Sequence, residues 1–218
     1  MTAAAMTVAL PSARAATPAT PHVSPGARPA TADEALARLR AGNARWAARV
    51  QRHPHEDAAR RRDVAVSQHP FAVVLGCIDS RVPPELVFDQ GLGDLLVIRS
   101  AGQALDEAVL GSIQYGVEEL HIPLILVLGH ERCGAVSAAV EHVRTGESPT
   151  GHLARVVNDI APSARETQGR PGDWVENTVR ANVARVRRTL AADHAFEGAA
   201  VAGARFDLDT GKVRFASF

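Results

Sequence analysis

The chain has 218 residues, of which 46% are hydrophobic and 22% are charged, so it is long enough for one sizeable α/β domain or at most two small ones. Its 24 Lys and Arg residues balance its 24 Asp and Glu residues, and bulk charge therefore gives no reason to expect nucleic acid or an anionic membrane as a partner. No apolar run approaches the ~20 residues that cross a bilayer.

The first thirty residues are rich in Ala, Pro, Ser and Thr and hold few large apolar side chains. We expect residues 1–30 to be a disordered tail and residues 31–218 to form the folded domain. Within the tail, "AAAMTVAL" followed by "SARAA" is similar to the end of a secretory signal peptide, but the basic region that normally precedes it is missing. We expect a soluble protein, cytoplasmic by default and exported if this tail is the remnant of a signal, and the sequence does not decide between the two.

A helix is predicted over 31–47, because Thr31 and Glu34 have the spacing of a capping box. Its apolar stripe is modest, with Gly42 as a weak point. Because a polar segment separates the helix from the core, we expect it to pack across a neighbouring subunit. The segment "QRHPHEDAARRRD" that follows is predicted to be a solvated helix or loop. It contains His53 and His55, and His69 follows it. These three histidines suggest a proton shuttle but are better explained as solvated side chains.

Three short apolar runs predict buried strands, over 71–77, 94–100 and 122–130. Helices are predicted between the second and third runs and again over 133–146 and 174–190. The arginines of the last helix, Arg185, Arg187 and Arg188, are expected to form an exposed face. A hairpin that turns at 209–211 closes the chain. The predicted fold is α/β, with a mainly parallel central sheet flanked by helices and a C-terminal antiparallel hairpin.

Two of the predicted strands end in reactive side chains. "GCIDSRVPPE" puts Cys77, Asp79 and Arg81 after the first strand, and "GHERCG" puts His130 and Cys133 at the end of the third. In open α/β sheets, ligands gather at the carboxyl ends of strands. Parallel pairing can therefore bring two thiols, an imidazole and a carboxylate side by side.

Two thiolates and an imidazole are ligands that zinc prefers, and soft sulfur disfavours Mg²⁺ and Ca²⁺. Cys77, His130 and Cys133 would leave a fourth position, which is open in catalytic zinc sites. Asp79 is the candidate to guard that position or to occupy it as the fourth ligand of a closed state. Arg81 is its natural bidentate partner. Two alternatives stay open, a structural zinc site and a redox pair of the two cysteines, but the redox pair leaves the other three residues unexplained.

Over about residues 66–218, the chain resembles the β-class carbonic anhydrases. The resemblance lies in the motifs "GCIDSRVPPE" and "GHERCG" and in two further segments, "QYGVEEL" before the third strand and "DLDTGKV" in the terminal hairpin. The resemblance implies one zinc per chain on Cys77, His130 and Cys133, with Asp79 and Arg81 as a dyad beside the metal-bound water. It also implies a homodimer or higher homo-oligomer with the active site near the interface. The implied reaction is reversible hydration of CO₂ to bicarbonate and a proton by zinc-bound hydroxide, since zinc lowers the pKa of its water.

The CO₂ pocket of such an enzyme must be small and apolar, and Val82, Phe88 and Ala101 are candidates to line it. Many family members place a substrate-binding Gln in a loop where this chain has Gln90 one residue early, so we expect no substrate role for Gln90. Members with an allosteric bicarbonate site carry a Trp three residues before the first cysteine. Val74 stands there in this chain, which disfavours that regulation.

The sequence is also compatible with two rival functions. A hydrolase acting on COS or CS₂ would share the scaffold and the metal and differ in access to it. A non-catalytic zinc-binding protein would use the sheet for partner interaction, but such a protein would not need a carboxylate–guanidinium pair beside the metal.

Overall fold

A computed structural model describes residues 28–216, so the disordered tail predicted for 1–30 lies almost entirely outside the described residues. Within 28–216 no helix combines the length and apolar character that crossing a bilayer requires. The helices in this range are α1 (Ala32–Ala47), α2 (Ala58–Val64), α3 (Pro84–Val87), α4 (Glu107–Glu118), α5 (Gly134–Thr145), α6 (Leu153–Thr167) and α7 (Trp174–Ala191). The strands are β1 (Ala72–Gly76), β2 (Leu95–Arg99), β3 (Leu124–His130), β4 (Ala200–Phe206) and β5 (Val213–Ala216).

The strands form one sheet in the order β2-β1-β3-β4-β5. The first four strands run parallel, and β4 pairs with β5 in the antiparallel sense. The prediction of a mainly parallel α/β sheet with a C-terminal hairpin is confirmed. All three predicted apolar runs contain a strand. Strands β1 and β3 are buried along their whole length, where both faces of a parallel sheet need apolar side chains, but β2 lies at the sheet edge and is only partly buried.

Alternate side chains of β1 and β3 build two core clusters on opposite faces of the sheet. Val74 and the three leucines of β3 pack with α1 and with Phe71 on one face. Val73, Leu75 and the two β-branched residues of β3 pack with α4 and α7 on the other. The period of two along each strand therefore sorts the core into two layers.

The capping box predicted for α1 is present, with the Thr31 side chain accepting a hydrogen bond from the backbone N–H of Glu34. The helix packs on its own chain, while its packing across a neighbouring subunit stays a prediction. Ala35 and Leu39 are completely buried in the first core cluster of their own chain. The helix therefore covers its own sheet, although a polar segment separates the two in sequence.

Gly42 is the point at which α1 touches α3 and is not a weak point. A Cβ atom there would lie 1.7 Å from the carbonyl oxygen of Phe88, so only glycine permits the contact. The next residue, Asn43, donates hydrogen bonds to the carbonyls of Val87 and Gly211 and accepts one from the backbone N–H of Val213. One buried amide thus joins α1 to α3 and to the C-terminal hairpin.

Sequence analysis did not predict α6, although its buried Val157, Ile160, Ala161 and Ala164 have the spacing of an amphipathic helix. The helix contains Pro162, which normally argues against a helical interior. It packs against α5 and α7 on the side of the sheet that carries the metal-site residues.

Two polar residues expected to be solvated are held inside the fold. The His55 ring is only 9% exposed, and its Nδ1 lies 2.7 Å from the Asp94 carboxylate, so the solvated interpretation is wrong for His55. His53 and His69 are exposed. Arg185 is half-buried and donates to the carbonyl of Asp159, so it is not part of an exposed face, whereas Arg188 is exposed.

Candidate metal centre

The candidate metal centre lies at the carboxyl ends of β1 and β3. From β1 the chain crosses to β2 on one side, and from β3 it crosses to β4 on the other. The two connections diverge, and a crevice opens between the strand ends, which is where open α/β sheets bind ligands. Cys77 follows the last residue of β1, His130 ends β3, and Cys133 is the residue that precedes α5.

The structure brings the three predicted ligands together. The ligand atoms of Cys77, His130 and Cys133 all lie within 4.8 Å of one another, and the two sulfurs are 3.9 Å apart. The three side chains are buried. The Nδ1 of His130 lies 2.9 Å from the Glu131 carbonyl oxygen, which can only accept, so Nδ1 carries the proton. The lone pair of Nε2 is then available, and this buried atom has no hydrogen-bond partner among residues 28–216.

The electrostatics of the three groups favour a bound cation. A hydrogen bond from the Cys133 thiol holds the pKa of Cys77 well below its usual range, and the same interaction, with burial, raises the pKa of Cys133. Burial works to lower the pKa of His130, but its contact with Cys77 outweighs burial and raises it. Two thiols this close cannot both ionise without a positive charge between them. A soft divalent ion such as zinc matches this donor set.

Asp79 and Arg81 form a bidentate pair beside these groups. The Arg81 guanidinium donates from Nε to Oδ1 at 2.9 Å and from Nη2 to Oδ2 at 2.7 Å, and the Arg81 backbone N–H also donates to Oδ1. These hydrogen bonds lower the pKa of Asp79 well below its usual range. The Asp79 Oδ2 atom lies 3.8 Å from Nε2 of His130. An ionised carboxylate therefore borders the ligand set.

Sequence analysis missed Arg99, which holds the backbone that carries Cys77 and Asp79. Its Nε donates to the carbonyl of Cys77 at 2.8 Å, and its Nη2 donates to the carbonyl of Asp79 at 2.6 Å. Arg99 ends β2, directly opposite Gly76 at the end of β1. A basic residue at the end of an otherwise apolar strand was the available signal.

The segment between His130 and Cys133 is tied to the C-terminal hairpin. The Glu131 backbone N–H donates to the carbonyl of Phe206, and its carboxylate accepts from the backbone N–H of Leu208. Arg132 has a left-handed backbone with φ of 50°. These contacts join residues far apart in the chain and were not predicted from the sequence.

Of the three residues expected to line a CO₂ pocket, two are buried in the core and one is partly exposed. Val82 and Phe88 are almost completely covered by the first core cluster and present no exposed surface to a substrate. Ala101 is partly exposed and adjoins Gly102, whose N–H donates to Cys77 Sγ. Gln90 is buried and bonds to the carbonyls of its own loop, and Val74 lies in the core.

Comparison with known proteins agrees with the geometry. A family model described as carbonic anhydrase matches residues 72–213. Carbonic anhydrase 2 of Mycobacterium tuberculosis is 41% identical over 182 residues, which cover 80% of this chain and 88% of that protein. A carbonic anhydrase of Mycolicibacterium smegmatis is 40% identical over 200 residues, which cover 88% of this chain and 96% of that protein.

Solved structures share the fold. A tetrameric β-carbonic anhydrase from Sordaria macrospora superposes with a TM-score of 0.67 at 22% identity, covering 75% of this chain and 89% of that one. The Coccomyxa β-carbonic anhydrase in complex with acetazolamide gives a TM-score of 0.65 at 26% identity, covering 83% and 85%. The chain therefore belongs to the carbonic anhydrase family and, within it, to the β class.

Proposed function

We propose that this enzyme hydrates CO₂ reversibly to bicarbonate and a proton, with one zinc ion held by Cys77, His130 and Cys133. The observation that carries the proposal is the convergence of three buried ligand atoms within 4.8 Å, with Nε2 of His130 left unpartnered among the described residues. These side chains fill three of the four positions that zinc prefers. When bound, the metal supplies a Lewis acid that makes water acidic enough to provide hydroxide near neutral pH.

In this proposal Asp79 orients the attacking water. Its lowered pKa keeps the carboxylate ionised, so it can only accept a hydrogen bond. Accepting this hydrogen bond would leave an oxygen lone pair of the water or hydroxide free to face the carbon of CO₂. Arg81 holds both carboxylate oxygens, which favours the open state over one in which Asp79 is itself a ligand.

The dyad can be tested with Arg81→Ala and Asp79→Asn, for which we expect kcat/KM of CO₂ hydration to fall by about 10²-fold. Arg144→Ala is a matched control, because Arg144 forms a similar two-point pair with Glu141 on the exposed end of α5. Zinc content is measured in each variant. Wild-type rates in the zinc-loaded dyad variants would contradict the assigned roles.

The substrate is tested by assaying the zinc-loaded protein with CO₂, COS and CS₂ side by side. We expect CO₂ hydration to be the dominant activity and Cys133→Ala to abolish it. Hydrolysis of COS or CS₂ without CO₂ hydration would replace the proposal with the hydrolase. A zinc-loaded protein that is inactive on all three would support a non-catalytic zinc-binding protein.

We also propose that the chain forms a homodimer or a larger homo-oligomer. Strand β2 is one edge of the sheet and is partly exposed along most of its length, and Tyr115 of the adjacent α4 is 52% exposed. An unpaired strand edge with apolar side chains is a natural surface for a second copy. Sedimentation at micromolar concentration tests the assembly, and an active monomer there would contradict it.

A further inference from the structure

A buried amide lies in the apolar middle of α7. Asn182 is 1% exposed, and its helix neighbours Val179, Val183 and Val186 are all buried core residues. An uncharged polar group in such a place destabilises the fold unless its hydrogen bonds are satisfied. The partners of Asn182 therefore indicate what the amide does.

Both ends of the amide are used. The Nδ2 atom donates to the carbonyl of Gly102 at 2.9 Å. The Oδ1 atom accepts from the hydroxyl of Ser163 and from Nη2 of Arg185, each at 3.3 Å. Arg185 is in turn anchored on the carbonyl of Asp159. Asn182 is thus fixed by α6 on one side and holds Gly102 on the other.

Gly102 lies in a short turn over 101–103 with an unusual backbone. Gly102 has φ of 60°, and Gln103 after it has φ of 57°, so two successive residues are left-handed. A Cβ atom on Gly102 would lie 2.5 Å from Cδ1 of Ile160, so a side chain there would have to displace Ile160 and would also strain the left-handed backbone. In this conformation the Gly102 N–H donates to Sγ of Cys77 at 3.4 Å.

We propose that Asn182 is a positioning residue for the metal thiolate, because it fixes the Gly102 carbonyl and so directs the N–H of the same residue at Sγ of Cys77. The inference rests on the proposed function, in which Cys77 is a zinc ligand. An N–H···S hydrogen bond withdraws electron density from the thiolate and restrains the sulfur in the direction of the metal. Asn182 thereby adjusts both the affinity for zinc and the electron donation from sulfur, without touching substrate.

The test uses Asn182→Leu, which keeps a similar volume and removes both hydrogen-bonding ends. Thr178→Val is the matched control. Thr178 lies four residues before Asn182 on α7, and its buried hydroxyl bonds to Thr167 and not to residues 101–103. Zinc affinity is measured by chelator competition. The sulfur-to-metal charge-transfer band is recorded after substitution of zinc by Co²⁺.

We expect Asn182→Leu to weaken zinc binding by about 10- to 100-fold and to shift the Co²⁺ charge-transfer band to longer wavelength, since a thiolate without its hydrogen bond is a better electron donor. Thr178→Val should leave both readouts unchanged even where it lowers the melting temperature. Unchanged affinity and spectrum in Asn182→Leu, or equal changes in both variants, would overturn the inference.

A measurement on the wild-type chain keeps the inference testable if Asn182→Leu does not fold. In protein loaded with ¹¹³Cd, a hydrogen bond to the ligating sulfur gives a scalar coupling between the metal and the Gly102 amide proton. Absence of that coupling overturns the inference. The proposed function fails separately, if the wild-type chain binds no zinc or does not hydrate CO₂.

Discussion

Arg132 and Asp209 form a two-point ion pair, with Nη1 donating to Oδ2 at 3.0 Å and Nη2 donating to Oδ1 at 2.7 Å. The pair joins the segment between two proposed zinc ligands to the turn of the C-terminal hairpin. Because Arg132 has a left-handed backbone that non-glycine residues rarely adopt, the segment needs outside contacts to keep its shape. The hairpin is therefore a support for the candidate metal centre as well as the edge of the sheet.

Asp209→Ala should release zinc faster than the wild-type chain while its melting temperature changes little. Both partners of the pair are more than half exposed, so the pair contributes little to global stability. Zinc release into a strong chelator is the measurement, and Arg144→Ala is again the exposed control. Equal release rates in all three proteins would show that the ion pair does not restrain the ligand segment.

Purified protein should contain about one zinc per chain, and Cys133→Ala should lose most of it, because two remaining ligands make a poor site. Metal analysis after dialysis is the measurement. Ser137→Ala, which removes only a hydroxyl that donates to the carbonyl of Cys133, is the control and should retain zinc. Full occupancy in Cys133→Ala would show that Cys133 is not a ligand.

Asn43→Ala should lower the free energy of unfolding by about 2 kcal/mol, because it leaves the buried Val87 carbonyl and the part-buried Gly211 carbonyl and Val213 N–H without their partner. Urea denaturation of the metal-free protein gives the value. Ala37→Ser changes an exposed position of the same helix and should be nearly neutral. If Asn43→Ala is as stable as the wild-type chain, α1 does not pack on its own chain in solution.

Asp89 should make the protein sensitive to acid. Burial alone would raise the pKa of Asp89, but hydrogen bonds from Arg45 and from the backbone N–H groups of Arg52 and His53 outweigh it, and the pKa is lowered. A carboxylate whose pKa is lower in the folded state stabilises above its unfolded pKa of about 4, and the contribution is lost as pH falls through the folded pKa.

Asp89→Asn should accordingly be less stable than the wild-type chain at neutral pH, and the difference should shrink as pH falls below about 4. Asparagine tolerates the left-handed backbone at this position, where φ is 46°, so the substitution removes charge without adding strain. Urea midpoints across the acid range are the measurement, with the exposed Asp33→Asn as control. A difference that does not depend on pH would show that the charge of Asp89 is not the cause.

The sequence predicts those parts of the structure that depend on local pattern. The apolar runs of β1 and β3 mark buried strands, and the reactive residues that end them mark the site. The rest depends on contacts that local pattern does not contain. Asn43 is 168 residues from its partner Gly211, and His55 is 39 residues from Asp94. The burial of Asn43 and His55 could therefore not be inferred from the residues that flank them in the sequence. Helix α6 was not predicted because it contains Pro162, and a proline inside a helical pattern usually ends the helix.

The position of β1 between β2 and β3 also bears on the order of folding. Cys77 and Cys133 are 56 residues apart, and they meet through the non-local pairing of β1 with β3, with β2 lying between these strands in the sequence. Pairings over such a separation form slowly, and a complete ligand set arises only in the nearly finished sheet. In the proposed function, we therefore expect zinc to bind the native state and not the folding transition state. We expect the metal to lengthen the lifetime of the folded protein without shortening the time needed to reach it.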